Sequence, residues 1–319
     1  MDTLEGQSVI ETRIKFPARD GFDLGGMLFA PGRLAHSNHA VVINCGGGIP
    51  AVRYANFARF LAKAGIPVLT YDYRGIGSSR PTSLRGFRAT VEDWSEYDCA
   101  GAIDFIHARF AASAIVGAAH SIGAFLMGAA PNVGILSRFF FVGAHTGYFG
   151  DYRPLYRWPM AVLWHGVMPL LTQTMGYFPG RRLRLGEDIP RDVALQWAAR
   201  RTADPKARKS TASGTSRSEV FFRRCASTKV PALMLGFTDD AFATAAGARR
   251  FLSEFPRVVA SHVELAPTQI GLQRIGHFGF FSRVAESELW PIALAYIRDG
   301  VVPKLPYNGM VVSSAPRAG

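Results

Sequence analysis

The sequence predicts an α/β protein with a mostly parallel, eight-stranded sheet, helices on both faces and a helical segment inserted after the sixth strand. Three observations lead there. Short continuous apolar runs alternate with segments of helical periodicity from residue 40 to residue 142, the pattern of a parallel sheet with crossover helices. That alternation stops between His145 and Ala226 and resumes at Pro231. A strand-turn-helix signature surrounds Ser121, in Ala114-Ile115-Val116-Gly117-Ala118-Ala119-His120-Ser121-Ile122-Gly123.

Each element has its own justification. Residues 8–17 and 22–30 are short apolar stretches around the turn-like tetrad Ala18-Arg19-Asp20-Gly21 and read as an antiparallel hairpin. Ala40 to Cys45 is a continuous apolar run of the buried parallel type, leading into Gly46-Gly47-Gly48-Ile49-Pro50. Tyr54 to Ala64 places Phe57, Phe60 and Leu61 at helical spacing. Ile66 to Tyr71 is the next strand, and it ends in Asp72-Tyr73-Arg74-Gly75, where Asp72 and Arg74 are expected to hold the turn. Glu92 to Phe110 reads as a helix, Ala114 to Ala118 as the strand before the serine, and Phe139 to Val142 as the sixth strand. After the interruption come a strand over Pro231–Gly236, a helix over 242–254, a strand over 257–265 and a helix over 284–298.

The expected organisation is therefore a core of residues 1–144 and 227–302, a helical cap of residues 145–226, and a tail from 303 to 319 rich in Pro, Ser and Gly that is expected to be poorly ordered. An insertion at that point emerges over the carboxyl ends of the strands, where open α/β sheets bind ligands. Within it, Trp158–Gly180 carries no Asp, Glu, Lys or Arg and a single histidine, His165. Its 23 residues are enough to span a bilayer. Pro159, Pro169, Pro179, Gln173 and two threonines argue instead for a cap helix, with Trp158, Leu163, Trp164 and Met168 forming an apolar roof.

Composition narrows the class. Of 319 residues, 48% are hydrophobic, ample for a large core. Cys45, Cys99 and Cys225 are odd in number and widely spaced, so neither a disulfide framework nor a zinc site is indicated. Met1-Asp2-Thr3-Leu4-Glu5 lacks the basic and apolar regions of a signal peptide, so a reducing cytoplasm is the expectation. The net charge of +12 is concentrated in residues 181–225, with twelve Lys or Arg against five Asp or Glu. No finger, helix-turn-helix or aromatic-basic pattern accompanies it, which argues against a nucleic-acid partner. A solvated arginine-rich surface is the reading preferred over attraction of an anionic substrate or lipid surface.

A serine hydroxyl is a poor nucleophile near pH 7 and needs a base, which in turn needs an orienting carboxylate. On a parallel sheet these come from loops after later strands. Asp239 and Asp240 follow one such strand, and His277 lies in the glycine-flanked loop Ile275-Gly276-His277-Phe278-Gly279 after the last. Each has a bland alternative: Ser121 as a helix cap, one of the two acids as the cap of the next helix, His277 as a satisfied loop histidine. The order Ser, Asp, His after the right strands favours a triad. Asp239 and Asp240 are not separated by this reasoning. A tetrahedral oxyanion needs preorganised N–H donors. The Ile122 N–H is one, and Gly47 or Gly48 is the other. No metal or organic cofactor is implied, and the Gly46–Gly48 run lacks a nucleotide-binding pattern. His145, Tyr148 and Phe149 follow the sixth strand and are candidates to line the pocket with Trp158 and Trp164, while His120 reads as structural.

The matching stretches NCGGGIP (44–50), YDYRGIGSS (71–79), EDW (92–94), AHSIG (119–123), GFTDDAFAT (236–244) and IGHFGFF (275–281) resemble the α/β-hydrolase superfamily, in particular predicted bacterial α/β-hydrolases of the serine aminopeptidase and monoglyceride-lipase-like group. The segment GYFPGRRLRLGEDIP at 176–190 also resembles that subgroup, and the likeness runs from about residue 8 to 300. It implies Ser121 as nucleophile, His277 as base and Asp239 or Asp240 as acid. The family pattern D-x-x-V-P fits Asp240, whereas counting from Gly236 favours Asp239. Ala119 for glycine and Thr244 for proline depart from the pattern. The expected activity is hydrolysis of a carboxylic ester of an apolar small molecule. The alternatives are acyl transfer or cyclisation by the same triad, and a non-catalytic binding module. Peripheral membrane contact and a homodimer stay open, and a stable membrane span is not expected.

Overall fold

The computed structural model describes residues 8–32, 37–200, 217–302 and the strand at 310–314. The chain opens with an antiparallel hairpin of β1 (Val9–Pro17) and β2 (Asp23–Pro31), paired from Val9 with Pro31 to Pro17 with Asp23. Next come β3 (His39–Asn44), α1 (Ala55–Lys63) and β4 (Val68–Tyr71). Val91–Asp93, a π-helical stretch Trp94–Cys99 and Ala100–Arg109 run on as one helix, α2. β5 (Ala114–His120), α3 (Gly123–Gly128) and β6 (Leu136–Val142) complete the first half.

After β6 the chain leaves the sheet for α4 (Pro154–Val162), a π turn at Leu163–Val167 and α5 (Met168–Met175). Two short strands, β7 (Tyr177–Phe178) and β8 (Ile189–Pro190), pair with each other where no strand was expected. They are followed by α6 (Arg191–Ala198) and α7 (Arg217–Ser227). Part of the basic run, residues 201–216, lies outside the described residues. The sheet resumes with β9 (Ala232–Phe237), α8 (Ala245–Ser253), β10 (Ala260–Leu265) and α9 (Trp290–Asp299).

The sheet order is β1-β2-β4-β3-β5-β6-β9-β10, and a ninth strand, β11 (Met310–Ser314), closes it. The eight expected strands are all present, and β3, β4, β5, β6, β9 and β10 are parallel. The ninth comes from the tail that composition assigned to disorder: residues 310–314 pair antiparallel with β10. Met310-Val311-Val312 is the only apolar run there, and the free edge of β10 offers it backbone partners.

Aromatic side chains sort onto the two faces because successive residues of a strand point oppositely. Phe140 of β6 meets Phe280 and Phe57 of α1, with Trp290 of α9 behind Phe57. Phe141 meets Phe251 of α8, which packs on Phe125 of α3 and Phe255. At the carboxyl end of β4, the Asp72 carboxylate accepts the N–H groups of Ala51 and Ser78, and Arg74 pairs with Asp20 and buried Asp98. Those bonds brace the turn after β4 beside the Gly46–Gly48 loop.

Helix α3 crosses the end of β3 closely. A Cβ on Gly123 would stand 2.5 Å from the Cys45 carbonyl oxygen and 2.8 Å from that of Asn44. Gly123→Ala is therefore expected to lower stability by about 1–3 kcal/mol, the usual cost of overpacking, in urea or thermal unfolding. A variant as stable as wild type would mean that the crossing relaxes freely.

Candidate active site

Ser121 joins β5 to α3 with φ at 54°, a left-handed conformation uncommon for a residue with a side chain. The turn is held from both sides. The Ser121 N–H donates to the Val142 carbonyl of β6 at 3.0 Å, and the Ala124 N–H donates to the Ser121 carbonyl at 3.2 Å. The serine is 5% exposed, at the carboxyl end of the sheet.

The two acids after β9 have separate tasks. Asp240 accepts the N–H groups of Phe242 and Ala243 on Oδ1, at 2.8 and 2.9 Å, and its Oδ2 lies 2.8 Å from Nδ1 of His277. Burial alone would raise this carboxyl, but the charge and hydrogen bond of His277, with the two N–H donors, outweigh it and hold the group at about 2. Asp239 instead accepts the N–H groups of Ile275 and Gly276 on Oδ2, at 2.8 and 2.9 Å, bracing the loop that carries His277. Neither acid caps α8, as one of them was expected to do. The cap is Thr244, whose Oγ1 accepts the Gly247 N–H, so the residue that departs from the family pattern has a local task.

His120 is structural in a specific way. The Gly46 N–H donates to Tyr54 Oη at 2.8 Å, Tyr54 Oη lies 2.9 Å from His120 Nδ1, and His120 Nε2 lies 2.9 Å from the His277 carbonyl oxygen. The His277 carbonyl can only accept, so His120 donates from Nε2, and its bare Nδ1 receives the Tyr54 O–H. One buried relay thus ties the Gly46–Gly48 loop, the Ser121 turn and the His277 loop together.

Residues 35–131, which include Gly46–Gly48 and Ser121, match the family model "Serine aminopeptidase, S33". Among solved structures, an esterase of Pyrobaculum calidifontis is 17% identical, with 94% of this chain and 88% of that one covered at a TM-score of 0.57. A monoacylglycerol lipase of Paleococcus ferrophilus is 14% identical, with 92% and 100% covered at 0.54. The haloalkane dehalogenase DatA of Agrobacterium tumefaciens C58 is 14% identical, with 90% and 96% covered at 0.57. No curated protein sequence matches the chain. The chain shares the α/β-hydrolase fold with these structures.

Within this fold the hydroxyl of Ser121 is partnered by His145, with Nε2 at 3.2 Å, and no hydrogen bond joins it to His277 among the described residues. The His145 and His277 rings stand edge to face, with centroids 5.4 Å apart. The N–H groups of Ile122 and Gly47 have no partner among the described residues. A Cβ on Gly47 would meet Trp197 at 2.5 Å and Ile122 Cγ2 at 3.2 Å, so this loop is wedged between the serine turn and α6. Gly48 turns away, its carbonyl accepting the Glu187 N–H at 2.8 Å.

The expected apolar roof forms differently. Trp158 is 69% exposed and touches Phe149, so it makes no part of a closed roof. Met168 is buried in the core, Leu163 is half-buried, and Tyr148 lies between Phe149 and the Arg250 guanidinium. Trp164 packs on Trp197, and it is Trp197 that lies over the glycine loop. Sequence patterning had no means of singling out Trp197, one tryptophan in an ordinary amphipathic helix. No helix of the described residues is long and apolar enough to cross a membrane.

Burial pushes four imidazoles down, that of His39 among them. His145 falls to about 3, with His277 adding to the effect, His262 falls to about 4, and His120 lies well below the ordinary value. A free imidazole titrates near 6.5, so between there and these lower values the unfolded chain binds more protons than the folded one. The stability they permit is whole above about pH 6.5 and is lost as pH falls, by roughly 1.4 kcal/mol per pH unit for each histidine. Melting temperature should therefore drop steeply between pH 6.5 and 4.5. A flat profile there would show that the histidines are protonated in the folded state.

Proposed function

We propose that this α/β-hydrolase cleaves a carboxylic ester of an apolar small molecule through an acyl-enzyme on Ser121. The observation that carries the reading is the 2.8 Å bond between His277 Nδ1 and Asp240, beside a serine held in a left-handed turn. An ionised carboxylate only accepts, so Nδ1 of His277 keeps its proton and Nε2 presents a lone pair. In the mechanism, Nε2 takes the Ser121 proton as Oγ attacks the acyl carbon. Asp240 stabilises the imidazolium, and the oxyanion accepts from the N–H groups of Ile122 and Gly47. His277 then protonates the departing alcohol, and water repeats the sequence to free the acid. A catalytic hydrogen bond such as that from Ser121 to His277 often tightens only when substrate binds.

Gly47 is preferred to Gly48 because it faces Ile122, whereas Gly48 faces residues 187–189. Serine at the turn argues against chemistry that needs an aspartate nucleophile there. The rings of Phe242 and Phe278, 5.4 and 5.0 Å from that of His277, with Trp197, support an apolar substrate. Three buried, unpaired cysteines favour a reducing compartment.

A fluorophosphonate should label Ser121, and Ser121→Ala should lose both labelling and turnover of acyl esters from acetate to octanoate. Residual activity above about a thousandth of wild type would overturn the nucleophile assignment. Labelling without hydrolysis of any ester in that panel would point to acyl transfer to another acceptor. The two acids should also separate. Asp240→Asn is expected to lower kcat by about 10⁴, and Asp239→Ala by roughly 10- to 100-fold through displacement of the histidine loop. The reverse ranking in steady-state kinetics would transfer the acid's role to Asp239.

A further inference from the structure

The Ser121 hydroxyl has a partner that the mechanism above leaves without a task, His145 Nε2 at 3.2 Å. The other side of the ring decides the direction of that bond. Nδ1 of His145 lies 3.0 Å from the Gly147 nitrogen and receives its N–H. A backbone N–H can only donate, so Nδ1 is bare, and a neutral ring then carries its proton on Nε2. Charging the ring would set N–H against N–H. The ring is also buried, 6% exposed, between Tyr152 and His277. Burial and the neighbouring His277 act in the same direction, against protonation. Nε2 therefore donates to Ser121 Oγ, and His145 is unable to take the serine's proton.

His277 is locked the other way, because its Nδ1 faces a carboxylate. The two imidazoles beside Ser121 thus hold opposite tautomers, one offering a lone pair and the other an N–H. A hydroxyl oxygen that accepts from His145 keeps its own proton available for His277.

We propose that His145 is a second catalytic imidazole, a permanently neutral donor that stabilises negative charge on Ser121 Oγ. This rests on the ester-hydrolase reading of the same site. In acylation, the Oγ–carbon bond forms while the O–H proton passes to His277 Nε2, and His277 returns that proton to the alcohol oxygen as the carbon–alcohol bond breaks. In deacylation, a water proton passes to His277 as the water oxygen bonds to carbon, and the pair of the carbon–Oγ bond returns to Oγ with the proton from His277. His145 keeps its own proton throughout. Its N–H meets Oγ when proton withdrawal charges the oxygen and again when Oγ departs.

Two variants separate this role from a structural one. His145→Gln and His145→Phe both lose the acceptor for the Gly147 N–H, but only glutamine places an N–H donor where Nε2 stood. Provided that both fold by circular dichroism and thermal melting, His145→Phe should lower kcat by on the order of 10²-fold, the effect of losing one donor at a developing charge. His145→Gln should stay within about tenfold of wild type and keep the acidic limb of the kcat/KM–pH profile unchanged. The proposal is overturned if His145→Phe turns over within twofold of wild type, if both variants are equally impaired, or if the acidic limb disappears in His145→Gln. The wild-type enzyme is the control for the underlying reading. If it neither hydrolyses esters nor takes the fluorophosphonate, the hydrolase assignment fails, whatever the variants do.

Discussion

Ser121 is held at φ 54° between a strand and a helix, a conformation that costs an L-residue roughly 1–2 kcal/mol. It persists because neighbouring elements leave the chain no alternative. The Val142 carbonyl of β6 holds the nitrogen of the turn, and α3 presses against the carbonyls of Asn44 and Cys45 through a residue without a side chain. Those carbonyls end the strand that runs into Gly46–Gly48. The strain at one residue is thus sustained by β3, β5 and β6 together, which also set where the glycine loop begins.

Three histidines then convert that scaffold into a site with defined proton positions. Each ring has one nitrogen committed to a group of fixed character: Asp240 for His277, the Gly147 N–H for His145, and the His277 carbonyl for His120. A partner that only accepts or only donates decides the tautomer more firmly than solvent could. The His120 relay adds rigidity, since the carbonyl it holds belongs to His277 itself and the donor at its far end is the first glycine of the loop. Movement of any one of the three loops would break a bond made to another.

Most of the fold was legible in the sequence because it rests on periodicity, which is local. The hairpin, the parallel strands and the position of the Ser121 turn all follow from runs such as Ala40–Cys45 and Ala114–Ala118 and from the small residues around Ser121. The order of Ser121, the two acids and His277 was legible for the same reason. The division of labour between Asp239 and Asp240 was not, because it depends on which way each carboxylate points across a turn. Asp240 faces the imidazole and Asp239 faces the backbone behind it, a difference invisible in adjacent identical letters. The bond between His145 and Ser121 joins residues 24 positions apart in the turns after neighbouring strands, and Trp197 reaches Gly47 from another part of the chain. Such contacts come from tertiary packing, for which no short motif exists. The strand at Met310–Ser314 belongs with these, since composition describes a tail and only the exposed edge of β10 supplies its partner.

Neutrality of His120 and His145 also bears on the chemistry proposed for His277. Their ring centroids lie 4.7 and 5.4 Å from that of His277. Two unit charges about 5 Å apart interact by roughly 3 kcal/mol at an effective dielectric constant near 20. If either neighbour were cationic, turning His277 into an imidazolium would therefore meet a barrier higher by about that amount, roughly two powers of ten in rate. Burial, together with hydrogen bonds that leave no room for a second proton on either ring, removes that penalty. The formal charge that faces the His277 ring directly is the carboxylate of Asp240, kept ionised by the two backbone N–H groups and the imidazole it faces. The same burial makes these histidines a liability to the fold in acid. In the proposed mechanism, the loss of stability below neutral pH and the ease of proton transfer at the serine are thus two consequences of one arrangement of side chains.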